Sequence, residues 1–394
     1  MARVMISCGE ASGDLYAAAL SRELTASAPG AEVFGFGGPR LAAAGADLVG
    51  DYRGISVTGL VEVVKLLPKT YAMYRRLIEA ARARRPDVFV AIDFPDFNFR
   101  LARAMGALGV PVVYYIGPQL WAWRPGRLRT LERLVDRVLV IFPFEREIYE
   151  RAGVPVEFVG HPLVDLVSDV VPRDRFLASV GLDPAAPVVA LLPGSRPNEL
   201  RQILPVLVEG AALVAATRPA TQFVVARAPN LDAALFAPIE AARPRQSLRV
   251  VTVDGQTDSV LAAADAVVTA SGTATIQTAL HERPMVVVYR LSPLTYRLGI
   301  RFVRVDTYGM VNLVAGRRVV PELIQHGFTP GAMAAEVGRY LDDPAHAEAT
   351  RAALRAVKAQ LGGSGASRRA ADAVLRVAHR APSPEPATGV RRDA

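Results

Sequence analysis

The chain has one cysteine, Cys8, in 394 residues. That excludes a disulfide within it and fits a reducing compartment such as the cytoplasm. No basic neighbour activates Cys8, which ends the first apolar run, so it reads as a small buried hydrophobe. Lysine is nearly absent: Lys65, Lys69 and Lys358 are the only three among 46 basic residues, so the positive charge is carried by arginine. No basic run with interleaved aromatics occurs, and nucleic acid is not an expected partner. The five histidines, His161, His281, His326, His346 and His379, are scattered without metal-ligand spacing, so no metal and no cofactor is expected. No uncharged apolar stretch reaches the length of a membrane span, and Glu10 and Asp14 interrupt the N-terminal apolar run too early for a signal peptide. Any membrane association would therefore be peripheral. A net charge of +8 favours anionic partners: phosphates, nucleotides or an acidic membrane surface.

What the chain does have is an alternation of short β-branched runs with alanine-rich helical segments. The expected strands are Val4–Ser7, Val33–Phe36, Val88–Ile92, Val112–Ile116, Val138–Ile141 and Glu157–Val159, then Val188–Leu192, Gln222–Ala226, Arg249–Val253, Ala266–Thr269 and Met285–Tyr289. Continuous apolar strands separated by helices imply parallel sheets covered on both faces, with ligands at the carboxyl ends of the strands. The pattern breaks near Asp165–Asp183. The expected organisation is an N-terminal Rossmann-like domain over 1–170 and a second over 171–360. A helix over 361–380 follows a glycine-rich hinge, and the proline-containing tail 381–394 reads as disordered.

The strongest chemical signal is Leu192-Pro193-Gly194-Ser195-Arg196, which follows a β-branched run and precedes a helical segment. Backbone amides at such a turn approach a phosphate closely, the helix N-terminus adds positive potential, and arginine can grip two phosphate oxygens. A second turn, Ser271-Gly272-Thr273, ends another apolar run and leads into a helix carrying Gln277, whose amide could reach a ribose hydroxyl. Two such turns in one half of the chain suggest a nucleotide-diphosphate site. Asp254-Gly255 lies where a nucleobase could sit, and Tyr289, Arg290 and Asn312 offer further polar groups. In the first half, Glu10, Ser12 and Gly13 form a small polar turn, read equally as a sugar-binding loop or as a cap by Ser12 or Asp14. Asp93 ends an apolar strand between Ile92 and Phe94, a setting that would raise its pKa toward that of a usable base. Asp96 lies close by, as a second polar group or a helix cap. Trp121-Ala122-Trp123-Arg124 would suit a sugar or acyl-chain surface, or an ordinary packing wedge. Leu60, Val63, Val64 and Leu67 have helical spacing, with Pro68 limiting the helix. With Lys65 and Lys69 beside them, they read either as a core helix or as a face meeting lipid and anionic headgroups.

Several ordered motifs together resemble the lipid-A-disaccharide synthase family, inverting glycosyltransferases of the GT-B fold. They are Gly9-Glu10-Ala11-Ser12-Gly13-Asp14, Ile92-Asp93-Phe94-Pro95-Asp96-Phe97-Asn98, Trp121-Ala122-Trp123-Arg124, Phe142-Pro143-Phe144-Glu145, Phe158-Val159-Gly160-His161-Pro162, Leu192-Pro193-Gly194-Ser195-Arg196, Ala270-Ser271-Gly272-Thr273-Ala274 and Asn312-Leu313-Val314-Ala315-Gly316-Arg317. The resemblance implies an α/β fold of two doubly wound Rossmann-like domains facing across a cleft, with the late helix returning to the first domain. It implies a metal-independent reaction: UDP-2,3-diacylglucosamine and 2,3-diacylglucosamine 1-phosphate give the β-1,6-linked lipid A disaccharide 1-phosphate and UDP. It places the enzyme peripherally on the cytoplasmic face of the inner membrane, against its phospholipid surface, and leaves a homodimer open. Asp93 would be the general base, Arg196 and the Ser271–Thr273 turn would take the diphosphate charge, and Asn312 would lie near the nucleotide. Gln277 departs from the family, standing where a glutamate holds the ribose hydroxyls, and a neutral amide makes a weaker contact. Val311 also replaces the proline expected before Asn312. Two competing readings are a GT-B enzyme acting on water-soluble sugar nucleotides, such as a UDP-N-acetylglucosamine epimerase, and a nucleotide-sugar or lipid binder without catalysis.

Overall fold

Every apolar run read as a strand is a strand in the computed structural model. The model describes the backbone of residues 1–54, 60–118, 128–167, 170–228, 231–245, 248–291 and 307–380, and the side chains of these except 54, 60–66, 243–245 and 380. The chain divides into two units, Met1–Asp165 with the segment from Gly363 on, and Leu166–Gly362.

The first unit contains β1 (Arg3–Cys8), β2 (Glu32–Gly37), β3 (Asp47–Asp51), β4 (Val88–Ile92), β5 (Val112–Tyr115), β6 (Arg137–Val140) and β7 (Val156–Phe158). They form one sheet in the order β3-β2-β1-β4-β5-β6-β7, parallel throughout. The second unit contains β8 (Val188–Leu192), β9 (Gln222–Arg227), β10 (Val250–Asp254), β11 (Ala266–Ala270), β12 (Met285–Tyr289) and β13 (Glu322–Ile324), again parallel, in the order β10-β9-β8-β11-β12-β13. β4, β8 and β11 are buried along their whole length because helices cover both faces. Sequence reading missed β3 and β13, edge strands of five and three residues that carry little periodic signal.

The order of strands in each sheet reverses once. β1 pairs with β2 on one side and β4 on the other, and β8 pairs likewise with β9 and β11. Right-handed crossovers leaving the two central strands go to opposite faces, so their carboxyl ends border a crevice. The Gly9–Asp14 and Asp93 motifs flank that point in the first unit. The Gly194–Arg196 and Ser271–Thr273 turns flank it in the second.

Two helices correct expectations. The helix at Leu60 continues to Arg84 with Pro68 inside it. A proline there removes one hydrogen bond at a cost of about 3 kcal/mol, but Leu77 and Ala81 bury further along and carry the helix past it. Pro197–Thr217 is long and apolar enough to span a membrane, the one such helix among the described residues. Its Leu200, Ile203, Leu204, Leu207 and Val214 instead lie in the core of the second unit. The late helix, Ala366–Arg380, packs on the helix Ala11–Ser27 of the first unit. Asp165 holds its start, accepting from the amides of Gly365 (2.6 Å) and Ser367 (3.3 Å), and Arg369 donates to the Val159 carbonyl (2.8 Å).

Candidate functional site

In the first unit the crevice is bordered by a backbone turn under strain. Asp93 and Phe94 are consecutive non-glycine residues with φ of 46° and 52°. Such geometry costs about 1–3 kcal/mol per residue and persists only where neighbours over-determine it. Here they do. The carbonyl of Asp93 accepts from Asn98 Nδ2 (2.7 Å) and from the Tyr114 hydroxyl (2.8 Å). Asn98, fully buried, also donates to the carbonyls of Ser7 and Ile92 and accepts from Ser7 Oγ at 2.7 Å, joining the ends of β1 and β4. Burial, reinforced by Asp93, pushes the Tyr114 phenol well up, so its proton stays available for that bond. The Phe94 ring lies over Gly9, where a Cβ would come within 2.3 Å of it. Asp93 itself is half-buried at the end of β4. Asn98 and Tyr114 are positioning residues that sequence reading did not single out. The sequence signal for Asn98 is its place at the end of the Ile92–Asn98 motif, between Phe97 and Phe99.

The surrounding polar residues sort differently from expectation. Asp14 does not cap its own helix. It is buried and accepts from the amides of Gly38 (2.8 Å), Arg40 (3.0 Å) and Leu41 (3.1 Å), closing the start of the short helix Pro39–Ala43. Ser12 makes no cap either: Glu10 occupies the N-cap position of Ala11–Ser27, without a side-chain cap bond. Gly13 lets that helix approach β1, its Cβ position being 3.2 Å from Cys8 Cβ. Asp96 is exposed in the first turn of Pro95–Ala107, where a carboxylate suits the helix dipole, and is not the cap. Trp121–Arg124 lie outside the described residues, as do the side chains of Leu60, Val63, Val64 and Lys65. Leu67 and Lys69 are exposed.

His161 is buried against Tyr16 and Phe142, and burial lowers its imidazole to about 3. It accepts from the Leu163 amide (3.2 Å) through Nδ1, so it is neutral in the fold. An unfolded histidine titrates near 6.5. Its stabilising effect is thus complete above pH 6.5 and is lost as pH falls from there toward 3, at up to about 1.4 kcal/mol per pH unit, because only the unfolded chain takes the proton. Urea midpoints at pH 7.5 and 5.5 should differ accordingly, and His161→Gln should flatten the difference.

In the second unit, Gly194 has φ 111° and Gly272 φ 149°, which β-carbon-bearing residues rarely adopt. Ser195, Gly272 and Thr273 are exposed at the ends of β8 and β11, with the helices Pro197–Thr217 and Thr273–Leu280 starting behind them. Arg196 is the N-cap residue of the first helix, and its guanidinium meets Glu199 Oε1 at 2.9 Å. Ser271 Oγ donates to the Tyr308 carbonyl at 2.9 Å, which joins the turn to the loop before Met310–Ala315.

That loop is held by Asn312. The side chain is buried, and its Nδ2 donates to the Val320 carbonyl (3.0 Å) and to Glu322 Oε1 (2.7 Å). Its Oδ1 accepts from the amides of Val319 (2.8 Å) and Val320 (3.1 Å). An asparagine side chain has two N–H donors and two acceptor lone pairs, and all four are used. Asn312 is a structural pin whose polar groups are all engaged within the protein. Its partner Glu322, unforeseen in sequence, accepts from the amides of Tyr308 and Gly309, both at 2.9 Å, and so holds the loop over Ser271.

Three further residues are engaged within the protein. Gln277 Nε2 donates to Asp258 Oδ1 (2.8 Å), the oxygen that His281 Nε2 also meets at 2.8 Å. Asp254 forms a two-pronged ion pair with Arg227, its register partner on β9. It lies two strands from the β8 end, roughly 10 Å away. Arg290 donates to the carbonyls of Gln325 and Phe328 and stacks on the Phe328 ring at 5.3 Å. Gln277 and Arg290 thus donate within the protein, and Tyr289 is half-buried at the end of β12. Among the described residues no cluster of three or more His, Cys, Asp or Glu side chains is placed to hold a metal ion.

Two parallel units, of seven and six strands, each with glycine-containing turns at its reversal point, define a two-domain α/β fold of the GT-B class. Solved structures agree. UDP-N-acetylglucosamine 2-epimerase from Neisseria meningitidis, bound to UDP-N-acetylglucosamine, matches with a TM-score of 0.68 at 13% identity, over 95% of this chain and 100% of that one. The calicheamicin glycosyltransferase CalG4 matches with 0.60 at 20% identity, over 97% and 100%. The sequence pattern of the lipid-A-disaccharide synthetase family matches residues 4–377. Lipid-A-disaccharide synthase of Geobacter sulfurreducens is 48% identical over 373 residues, 95% of this chain and 96% of that protein. That of Myxococcus xanthus is 45% identical over 373 residues, 95% and 97%. The chain belongs to the lipid-A-disaccharide synthetase family and is a glycosyltransferase of lipid A biosynthesis.

Proposed function

We propose that the chain transfers the sugar of UDP-2,3-diacylglucosamine to the 6-hydroxyl of 2,3-diacylglucosamine 1-phosphate, forming the β-1,6-linked disaccharide 1-phosphate and releasing UDP. The observation that carries the residue roles is the strained, fully braced turn at Asp93. Strain held this firmly at a sheet's reversal point is kept for chemistry rather than packing. Asp93 accepts the proton of the acceptor hydroxyl as its oxygen attacks the anomeric carbon in line with the departing UDP, which inverts that carbon. In the second unit the amides of the Gly194–Arg196 and Ser271–Thr273 turns, the two helix N-termini and the Arg196 guanidinium receive the charge that develops on the diphosphate. Fixed donors of this kind do the work of a divalent cation, so the reaction proceeds without one. The test is incubation of the purified chain with both substrates, the acceptor radiolabelled, in detergent and EDTA. A disaccharide product is expected; none, with UDP still bound, would point to another acceptor.

Membrane attachment is peripheral in this reading. Leu67 and Tyr71 are 52% and 63% exposed, one turn apart on Leu60–Arg84, with Lys69 and Arg75 nearby. Such a face suits acyl chains below and anionic headgroups around it. Leu67→Glu with Tyr71→Glu should cut sedimentation with anionic vesicles severalfold, and wild-type sedimentation would reject this face.

A further inference from the structure

Glu199 has no role in the reaction described above, yet it lies on the groups that reaction needs. It is the third residue of Pro197–Thr217, and its side chain is only 13% exposed. One carboxylate oxygen meets the Arg196 guanidinium at 2.9 Å, and the other accepts from the Ser195 amide at 3.3 Å. A Cβ on Gly194 would come within 2.6 Å of that second oxygen, so the carboxylate lies directly over the glycine turn. Two oxygens on one guanidinium and one backbone amide reproduce the contacts two non-bridging phosphate oxygens would make. A diphosphate cannot share those donors with a carboxylate, because like charges in contact repel.

We infer that Glu199 is an internal competitor for the diphosphate site. It holds the Gly194–Arg196 donors in place when no nucleotide is present, swings off them when the sugar nucleotide arrives, and returns as UDP leaves, which speeds release of that product. This rests on reading the Gly194–Arg196 turn as the diphosphate site. No covalent step is involved: one anion exchanges for another on the same donors.

Glu199→Gln keeps the shape and removes the charge. A neutral acceptor competes less well than a charged one, so UDP should bind about fivefold more tightly, leave more slowly in stopped-flow displacement, and inhibit turnover at lower concentration. Glu199→Ala, which also empties the slot, should tighten UDP binding at least as much. UDP titration calorimetry on the full chain, with melting curves to verify folding, reads both. Unchanged or weaker UDP binding in both folded variants would overturn the competitor role and leave Glu199 a helix-start brace. Arg196→Ala separates the two ideas: it should weaken UDP binding, and unchanged affinity in that variant would instead overturn the diphosphate reading on which this inference stands.

Discussion

Asp93→Asn is expected to lower turnover by about 10²–10⁴-fold, the range a positioned general base contributes, while UDP affinity and melting temperature stay near wild type. Asparagine is the right replacement because the residue sits at φ 46°, a conformation that asparagine and aspartate tolerate and alanine does not. The braces from Asn98 and Tyr114 end on the main-chain carbonyl of Asp93, not on its carboxylate, so the turn keeps them in the variant. UDP is proposed to bind in the other unit, so its affinity reports an intact donor site. Initial rates paired with UDP titration decide the matter. Turnover within tenfold of wild type would remove Asp93 from the chemistry, and a collapsed melting transition would give it a structural role.

The second large effect is on stability. Asn312→Ala strands the amides of Val319 and Val320 and the Val320 carbonyl, and takes one of two donors from Glu322 Oε1. Each buried polar group left unpaired costs about 1–3 kcal/mol, against a net stability of about 5–15 kcal/mol for a domain. A loss of about 3 kcal/mol corresponds to roughly 6–12 °C in a domain of this size. Calorimetry should therefore show a transition lowered by about that amount, partly restored by excess UDP through mass action. A variant that melts like wild type yet fails to bind UDP would return Asn312 to the ligand.

Comparing these two residues shows how far sequence carries. Asp93 was legible because its setting is local: an all-apolar strand ends there, and parallel-sheet topology brings such ends to the ligand. The same logic located the Gly194 and Ser271 turns. For Asn312 and Gln277 the sequence does not say which way the side chain points, because a polar residue near a turn looks the same either way. Their partners within the protein, Glu322 and Asp258, come from other elements, and no spacing rule joins them. Pro68 misled for a related reason. Its local penalty is real, but burial of residues beyond it decides whether the helix continues. The short edge strands β3 and β13 escaped notice because the neighbouring strand, rather than their own composition, makes them strands.

The solitary thiol has a practical consequence. Cys8 is buried, and desolvation, reinforced by Asp14, pushes its pKa well up, so it remains an unreactive neutral thiol at ordinary pH. The natural sequence is thus already a blank background for maleimide chemistry. A cysteine introduced at an exposed position such as Tyr71 or Ser195 would take a fluorophore or spin label alone, and bilayer contact or loop motion could be followed without first removing a native cysteine.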